Sequence, residues 1–157
     1  MAVSGSPRVL IDTNVFVYRV DPADPRKRGM ATAMLRRLRL AGDAVVSAQT
    51  VSEFASVLLG HRAHELSAGD VGAAVAEMVR AWPVTLVRPR TIELALTGRE
   101  RFGFPFYGAQ IWAAAKLSGA TIVLSEDFAD GTVSDGVRFA DPFAEGFDLD
   151  ALTAAPR

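Results

Sequence analysis

A chain of 157 residues, half of them hydrophobic, is long enough for one well-cored domain and too short for two. Its 17 Lys+Arg against 18 Asp+Glu leave a formal charge of -1, which excludes a globally basic nucleic-acid coat and an acidic disordered chain. The lack of cysteine removes disulfide frameworks, thiol catalysis and Cys-based zinc or iron–sulfur sites.

The opening Met1–Pro7 lacks a basic region followed by an apolar core, and no apolar run approaches the ~18 residues of a membrane span. A soluble, cytoplasmic domain with no membrane contact is expected. The first apolar run, Val9–Ile11, ends in the polar triplet Asp12-Thr-Asn14. Residues 26–41 carry Met30, Met34, Leu35 and Leu38 at helical spacing, with Arg36, Arg37 and Arg39 on other faces. Ala44–Val46 is a second short strand. A helix over 50–60 opens with Thr50-Val-Ser-Glu53, a capping-box pattern. Residues 67–81 form a helix starting at Ser67, and Val84–Val87 a third strand between Pro83 and Pro89. Helices over 91–101 and 106–118 follow, the second Ala-rich and ending before Gly119, and Thr121–Leu124 is the fourth strand. The strands are short, apolar and not alternating, as in a parallel sheet covered on both faces, and strands alternating with helices predict that architecture. Residues 148–157 have no partner pattern and are expected to fray, leaving residues 1–147 as one domain.

Several chemistries are absent. There is no phosphate-cradling GxxxxGK[ST] or GxGxxG and no GxSxG nucleophile elbow. The two histidines, His61 and His64, have no third ligand in reach and read as a solvated helix end rather than zinc ligands.

Carboxylates at strand ends remain. Asp12 closes the first strand, Glu126 and Asp127 follow the fourth, and Glu53 lies in a helix entered from the second. Open parallel sheets gather ligands at the carboxyl ends of their strands, so these groups should share one crevice. Carboxylates converging without a basic partner repel one another, and a hard divalent cation, Mg²⁺ or Mn²⁺, resolves the conflict while keeping waters able to attack a phosphodiester. Taken singly, each acid also reads as a helix or turn cap: Asp12 or Asn14 for the next helix, Glu53 in its capping box, Asp127 before Gly131. Taken together, they favour a metal site.

Four stretches resemble the PIN-domain family, and within it the VapC-type ribonuclease toxins of toxin–antitoxin pairs. They are Val9-Leu-Ile-Asp-Thr-Asn-Val15, Val51-Ser-Glu-Phe54, Arg101-Phe-Gly-Phe-Pro-Phe-Tyr107 and Leu124-Ser-Glu-Asp-Phe128, and Asp141-Pro-Phe143 resembles the family's closing strand and tail. The resemblance implies a three-layer α/β/α fold around a short parallel sheet. It also implies an endoribonuclease dependent on Mg²⁺ (or Mn²⁺), with Asp12 and Asp127 holding the metal and Glu53 positioning a bound water or a second ion. Thr13, Asn14, Ser125 and Glu126 would orient these carboxylates. Where the family usually has a further Asp, this chain has Gly108. Nothing in Pro105 or the Ala-rich sequence after it demands a glycine there, so a lost carboxylate and impaired activity are expected, with Glu126 the only neighbouring acid that could compensate.

For RNA, the chain offers Arg26-Lys-Arg28 and Arg36, Arg37 and Arg39, which read equally as a solvated helix face or as the counterpart of an acidic partner. Met30, Met34 and Leu38 with Val57, Leu58 and Leu59 offer apolar surface for a partner helix or a homodimer seam. VapC-like proteins pair as homodimers and bind a cognate antitoxin, which the resemblance implies here. Two alternatives belong to other classes. One is a non-catalytic PIN-like module that binds RNA or an antitoxin. The other is a receiver-like signalling domain, which would need an Asp after the third strand, where Arg88-Pro-Arg90 stands instead.

Overall fold

The computed structural model describes residues 5–61 and 65–154, with His61 described by its backbone only. His64, the His61 side chain and the first four residues therefore lie outside what is described.

Six strands form one sheet in the order β3-β2-β1-β4-β6-β5. They are β1 (Val9–Ile11), β2 (Ala44–Ser47), β3 (Val84–Thr85), β4 (Ile122–Leu124), β5 (Val133–Ser134) and β6 (Val137–Ala140). All neighbours are parallel except β5, which runs antiparallel to β6 at the edge. Helices α1 (Thr13–Val20) and α2 (Pro25–Ala41) connect β1 to β2. Helices α3 (Ala48–His61) and α4 (Ala68–Ala81) lead to β3, and α5 (Pro89–Phe102) and α6 (Phe106–Ser118) lead to β4.

Strand alternation divides the core into two layers. Val9, Ile11, Val46, Ile122 and Leu124 pack with buried residues of α1 to α4 on one face. Leu10, Val45, Val123, Val137 and Phe139 pack against α5 and α6 on the other. The central strands β1, β2 and β4 are buried along their whole length, which is why their sequences are nearly continuous apolar runs. Helix α6 is buried from Ala109 to Ala115, so it shows little polar face. The expected three-layer α/β/α fold is what the chain adopts.

The differences from the sequence reading are local. β3 spans only Val84–Thr85, because Leu86 turns to solvent. Helix α3 starts two residues before Thr50: the Thr50 amide donates to Ser47 Oγ at 3.0 Å, so Ser47 caps the helix and the Thr50–Glu53 capping box does not form. The β5–β6 hairpin went unread, although Asp135-Gly136, at φ 48° and 80°, is a dipeptide suited to a tight hairpin turn. The segment expected to fray contains a short helix, α7 (Leu149–Thr153), which Asp148 caps and whose Leu149 and Leu152 pack on the core; residues 155–157 lie outside the described ones. Met34, Leu38 and Leu58, expected as partner-facing surface, are core residues, while Leu59 is exposed.

Candidate carboxylate site

The strand order explains where the acids meet. The chain leaves β1 toward β2 on one side and returns to β4 on the other, so β1 and β4 flank the point where the direction of winding reverses. Ligands of open α/β sheets bind at such a switch, outside the carboxyl ends of the strands. Asp12 follows β1 and Ser125 to Asp127 follow β4, and the Asp12 amide donates to the Leu124 carbonyl at 3.0 Å, joining the two ends.

Asp12 is 5% exposed. It is the N-cap of α1, its Oδ1 accepting the Thr13 amide at 2.8 Å, and its Oδ2 accepts the Ser125 hydroxyl at 2.7 Å. The cap reading of this residue is therefore realised, through one oxygen, while the other oxygen faces Ser125. Burial pushes its pKa up to about 6, against the lowering effect of the Ser125 and Thr13 bonds and with added repulsion from Asp127 and Glu53.

Freed from capping, Glu53 turns to the site. Its Oε2 accepts the Thr13 hydroxyl at 2.7 Å and its Oε1 accepts Gln49 Nε2 at 2.8 Å. Asp127 is exposed at the rim, where Asn14 Nδ2 donates to it at 3.3 Å and to Ser125 Oγ at 3.1 Å. Asn14 Oδ1 is buried with no hydrogen-bond partner among the described residues. Thr13, Asn14 and Ser125 thus each donate a hydrogen bond to one of these carboxylates.

Glu126 does something else. It accepts the Tyr18 hydroxyl at 2.6 Å and pairs with Lys27 Nζ at 2.6 Å. The hydrogen bond to Glu126 is the main reason the Tyr18 and Lys27 pKa values both lie above their ordinary ones. Held in this way, Glu126 ties α1 and α2 to the end of β4.

Two glutamines that sequence reasoning missed belong to the site. Gln49 Nε2 also donates to the Tyr107 carbonyl at 3.1 Å, and Gln49 Oε1 accepts Gln110 Nε2 at 2.7 Å, both glutamines being buried. A polar residue on the buried side of an Ala-rich helix, as at Gln110, was the available signal. Gly108 lines, with Asp12, Gln49, Glu53 and Asp127, a cavity of about 260 Å³. A Cβ at position 108 would meet Phe128 Cζ at 3.2 Å. Glu53 and Asp127 also border a more open recess of about 450 Å³ beside Tyr18 and Glu126.

Among the described residues no three His, Asp or Glu side chains stand close enough together to enclose a metal ion. Mg²⁺ asks for less, since one or two carboxylates hold it while it keeps several waters. Asp12 and Asp127 fit such an open site: one is an acid whose pKa burial raises, with a smaller push from its acidic neighbours, the other an accessible acid beside it, and the orphaned Asn14 Oδ1 is a further acceptor at the same strand ends.

The basic residues separate. Arg28, Arg36 and Arg39 line a cleft of about 670 Å³ floored by Phe16, Phe54 and Trp82. Arg37 instead pairs with Asp150 of α7, Arg26 donates to the Phe143 carbonyl at 3.4 Å, and Lys27 is committed to Glu126.

A parallel sheet with carboxylates gathered at its switch point defines a class of α/β domains built for strand-end chemistry. The PIN domain family model matches residues 9–129, and the chain belongs to that family. Similar solved structures include a toxin–antitoxin complex from Klebsiella pneumoniae, at TM-score 0.64 and 15% identity, covering 86% of this chain and 98% of that one. The VapC20 toxin of Mycobacterium tuberculosis, which cleaves the sarcin–ricin loop, matches at TM-score 0.57 and 18% identity, covering 76% and 89%. A protein from Pyrobaculum aerophilum matches at TM-score 0.57 and 15% identity, covering 88% and 85%. At these identities the likeness is one of fold. No curated protein matches the sequence.

Proposed function

We propose that this chain is a divalent-cation-dependent endoribonuclease of the VapC toxin type whose activity is reduced by glycine at position 108. The observation that carries the reading is the single cavity bordered by Asp12, Glu53, Asp127 and Gly108 at the ends of β1 and β4. Asp12 and Asp127 would hold Mg²⁺ or Mn²⁺, which when bound supplies charge for a phosphate oxygen and an acidified water. Ser125 and the Thr13 amide keep the Asp12 carboxylate in one orientation. Thr13 and Gln49 hold Glu53, which would orient a water for in-line attack on an RNA phosphodiester, leaving a 5′-phosphate.

An antitoxin is the natural partner on this reading, supported by the Klebsiella complex of similar fold. The cleft of Arg28, Arg36 and Arg39 over an aromatic floor suits an acidic amphipathic segment of such a partner. A homodimer and a cytoplasmic location complete the proposal. A second reading, an RNA- or antitoxin-binding module that cleaves nothing, is favoured by one observation, the absence of a carboxylate at Gly108.

Incubation of single-stranded RNA with the chain and Mn²⁺ tests the choice. The nuclease reading expects slow cleavage abolished by chelation and by Asp12→Asn. Binding without any cleavage, even at high protein concentration, selects the module.

A further inference from the structure

Gln49 is held at both ends of its amide. Its Nε2 donates to Glu53 Oε1 at 2.8 Å and to the Tyr107 carbonyl at 3.1 Å, and its Oε1 accepts Gln110 Nε2 at 2.7 Å. The two glutamines are 7% and 6% exposed. Glu53 lies one turn beyond Gln49 on the same face of α3. Tyr107 and Gln110 belong to α6, where they bracket residue 108 in the sequence.

The ends of a carboxamide are not interchangeable: its nitrogen donates and its oxygen accepts. Glu53 Oε1 and the Tyr107 carbonyl both accept, so the Gln49 nitrogen must face them, and its oxygen then needs a donor. Gln110 supplies that donor. Turned over, the Gln49 amide would set its oxygen against a carboxylate and its nitrogen against the Gln110 nitrogen. The donor on Gln110 therefore selects one direction for the Gln49 amide.

Packing does not ask for an amide at position 110. The neighbours of Gln110 on α6, from Ala109 to Ala115, are buried and apolar, and an amide buried among them costs stability unless it is bonded. The remaining hold on Glu53 comes from the Thr13 hydroxyl and engages only Oε2.

We propose that Gln110 is a positioning residue: its donation to Gln49 Oε1 fixes the direction of the Gln49 amide, which holds Glu53 toward the cavity and ties it to the first turn of α6. Its effect on cleavage rests on the role given to Glu53 in the ribonucleolytic reading. Its effect on the Gln49 amide does not.

Two measurements on Gln110→Met, which keeps the length of the side chain and removes the donor, test this. In NMR spectra of the metal-free protein, nuclear Overhauser contacts between the Gln49 amide protons and the Glu53 side chain should be present in the unaltered chain. Gln110→Met should lose them while keeping its other tertiary contacts. In single-turnover cleavage of single-stranded RNA with Mn²⁺, on the unaltered chain and on Gly108→Asp, the substitution should lower the plateau rate about tenfold and leave the half-saturating RNA concentration unchanged. Added to Glu53→Gln, it should change the rate by less than about twofold, because it acts through Glu53. A link that only fastens α3 to α6 would lower the melting temperature and spare the plateau rate, or lower that rate equally with and without Glu53. Either result overturns the proposal, as does a Gln49 amide in the unaltered chain that makes no contact with Glu53. If Gln110→Met does not fold, Gln110→Leu takes its place. If no chain cleaves RNA, the ribonucleolytic reading fails, and the NMR comparison alone decides whether Gln110 positions Glu53.

Discussion

The Ser125 hydroxyl donates to Asp12 Oδ2 at 2.7 Å, and Ser125 Oγ in turn accepts the Asp127 amide and the Asn14 side-chain amide, each at 3.1 Å. One hydroxyl, with one proton and two lone pairs, thus joins the acids of two strand ends.

Ser125→Ala should leave a buried carboxylate short of its strongest side-chain donor and two amides short of an acceptor. Unfolding in urea at neutral pH should show a loss of about 1–3 kcal/mol. Because this bond lowers the Asp12 pKa, its removal should also move that pKa further up, which a carboxyl NMR titration reads directly.

Asp12 also sets a pH dependence. Its folded pKa of about 6 lies above the ordinary 3.8, so the folded chain binds this proton more tightly than the unfolded one. Its contribution therefore falls as pH rises from about 4 to about 6, by about 3 kcal/mol in total. Asp12→Asn should lose less stability than the unaltered chain over that window when unfolding is followed pH by pH. Parallel curves would mean that Asp12 titrates normally.

Glu126→Gln separates a tether from a ligand. The Lys27–Glu126 pair is a quarter exposed, so the variant should lose about 1 kcal/mol in denaturant unfolding. Its Mn²⁺ affinity, read by calorimetry, should stay within about twofold of the unaltered chain, since one ligand lost would change it by far more. A large drop in affinity would return Glu126 to the ligand set.

Gly98 is required by packing, not by backbone. It lies inside α5, and a Cβ there would fall 2.6 Å from Cε3 of the buried Trp112. Gly98→Ala should destabilise the chain by about 1–3 kcal/mol despite alanine's higher helix propensity. Thermal melts should show the drop.

Much of this was legible in the sequence, for physical reasons. Short apolar runs that do not alternate suit strands covered on both faces, and the first and fourth runs end in acids that adjacent strands then bring together. Helix ends were less legible. Ser47 and Thr50 are both competent caps, and only the fold decides that Ser47 does the capping and that Glu53 faces the cavity. Glu126 and Asp127 are adjacent in the sequence, and which one is sequestered depends on Lys27, a hundred residues earlier in the chain. The Ala-rich setting of Gln110 marks it as a buried polar residue, but its pairing with Gln49 joins α3 to α6 and is set only by the fold.

Gly108→Asp tests the central claim, that the Asp12–Asp127 site lacks one ligand, most directly. Its Cβ must displace the Phe128 ring by a few tenths of an ångström, and its charge adds to an acidic cluster, so the metal-free variant should melt below the unaltered chain. Single-turnover cleavage of single-stranded RNA in Mn²⁺ is the decisive measurement. The account predicts at least about a tenfold faster rate for Gly108→Asp, with Mn²⁺ raising its melting point more than that of the unaltered chain. A folded Gly108→Asp chain that cleaves no faster and gains no more from Mn²⁺ would contradict it.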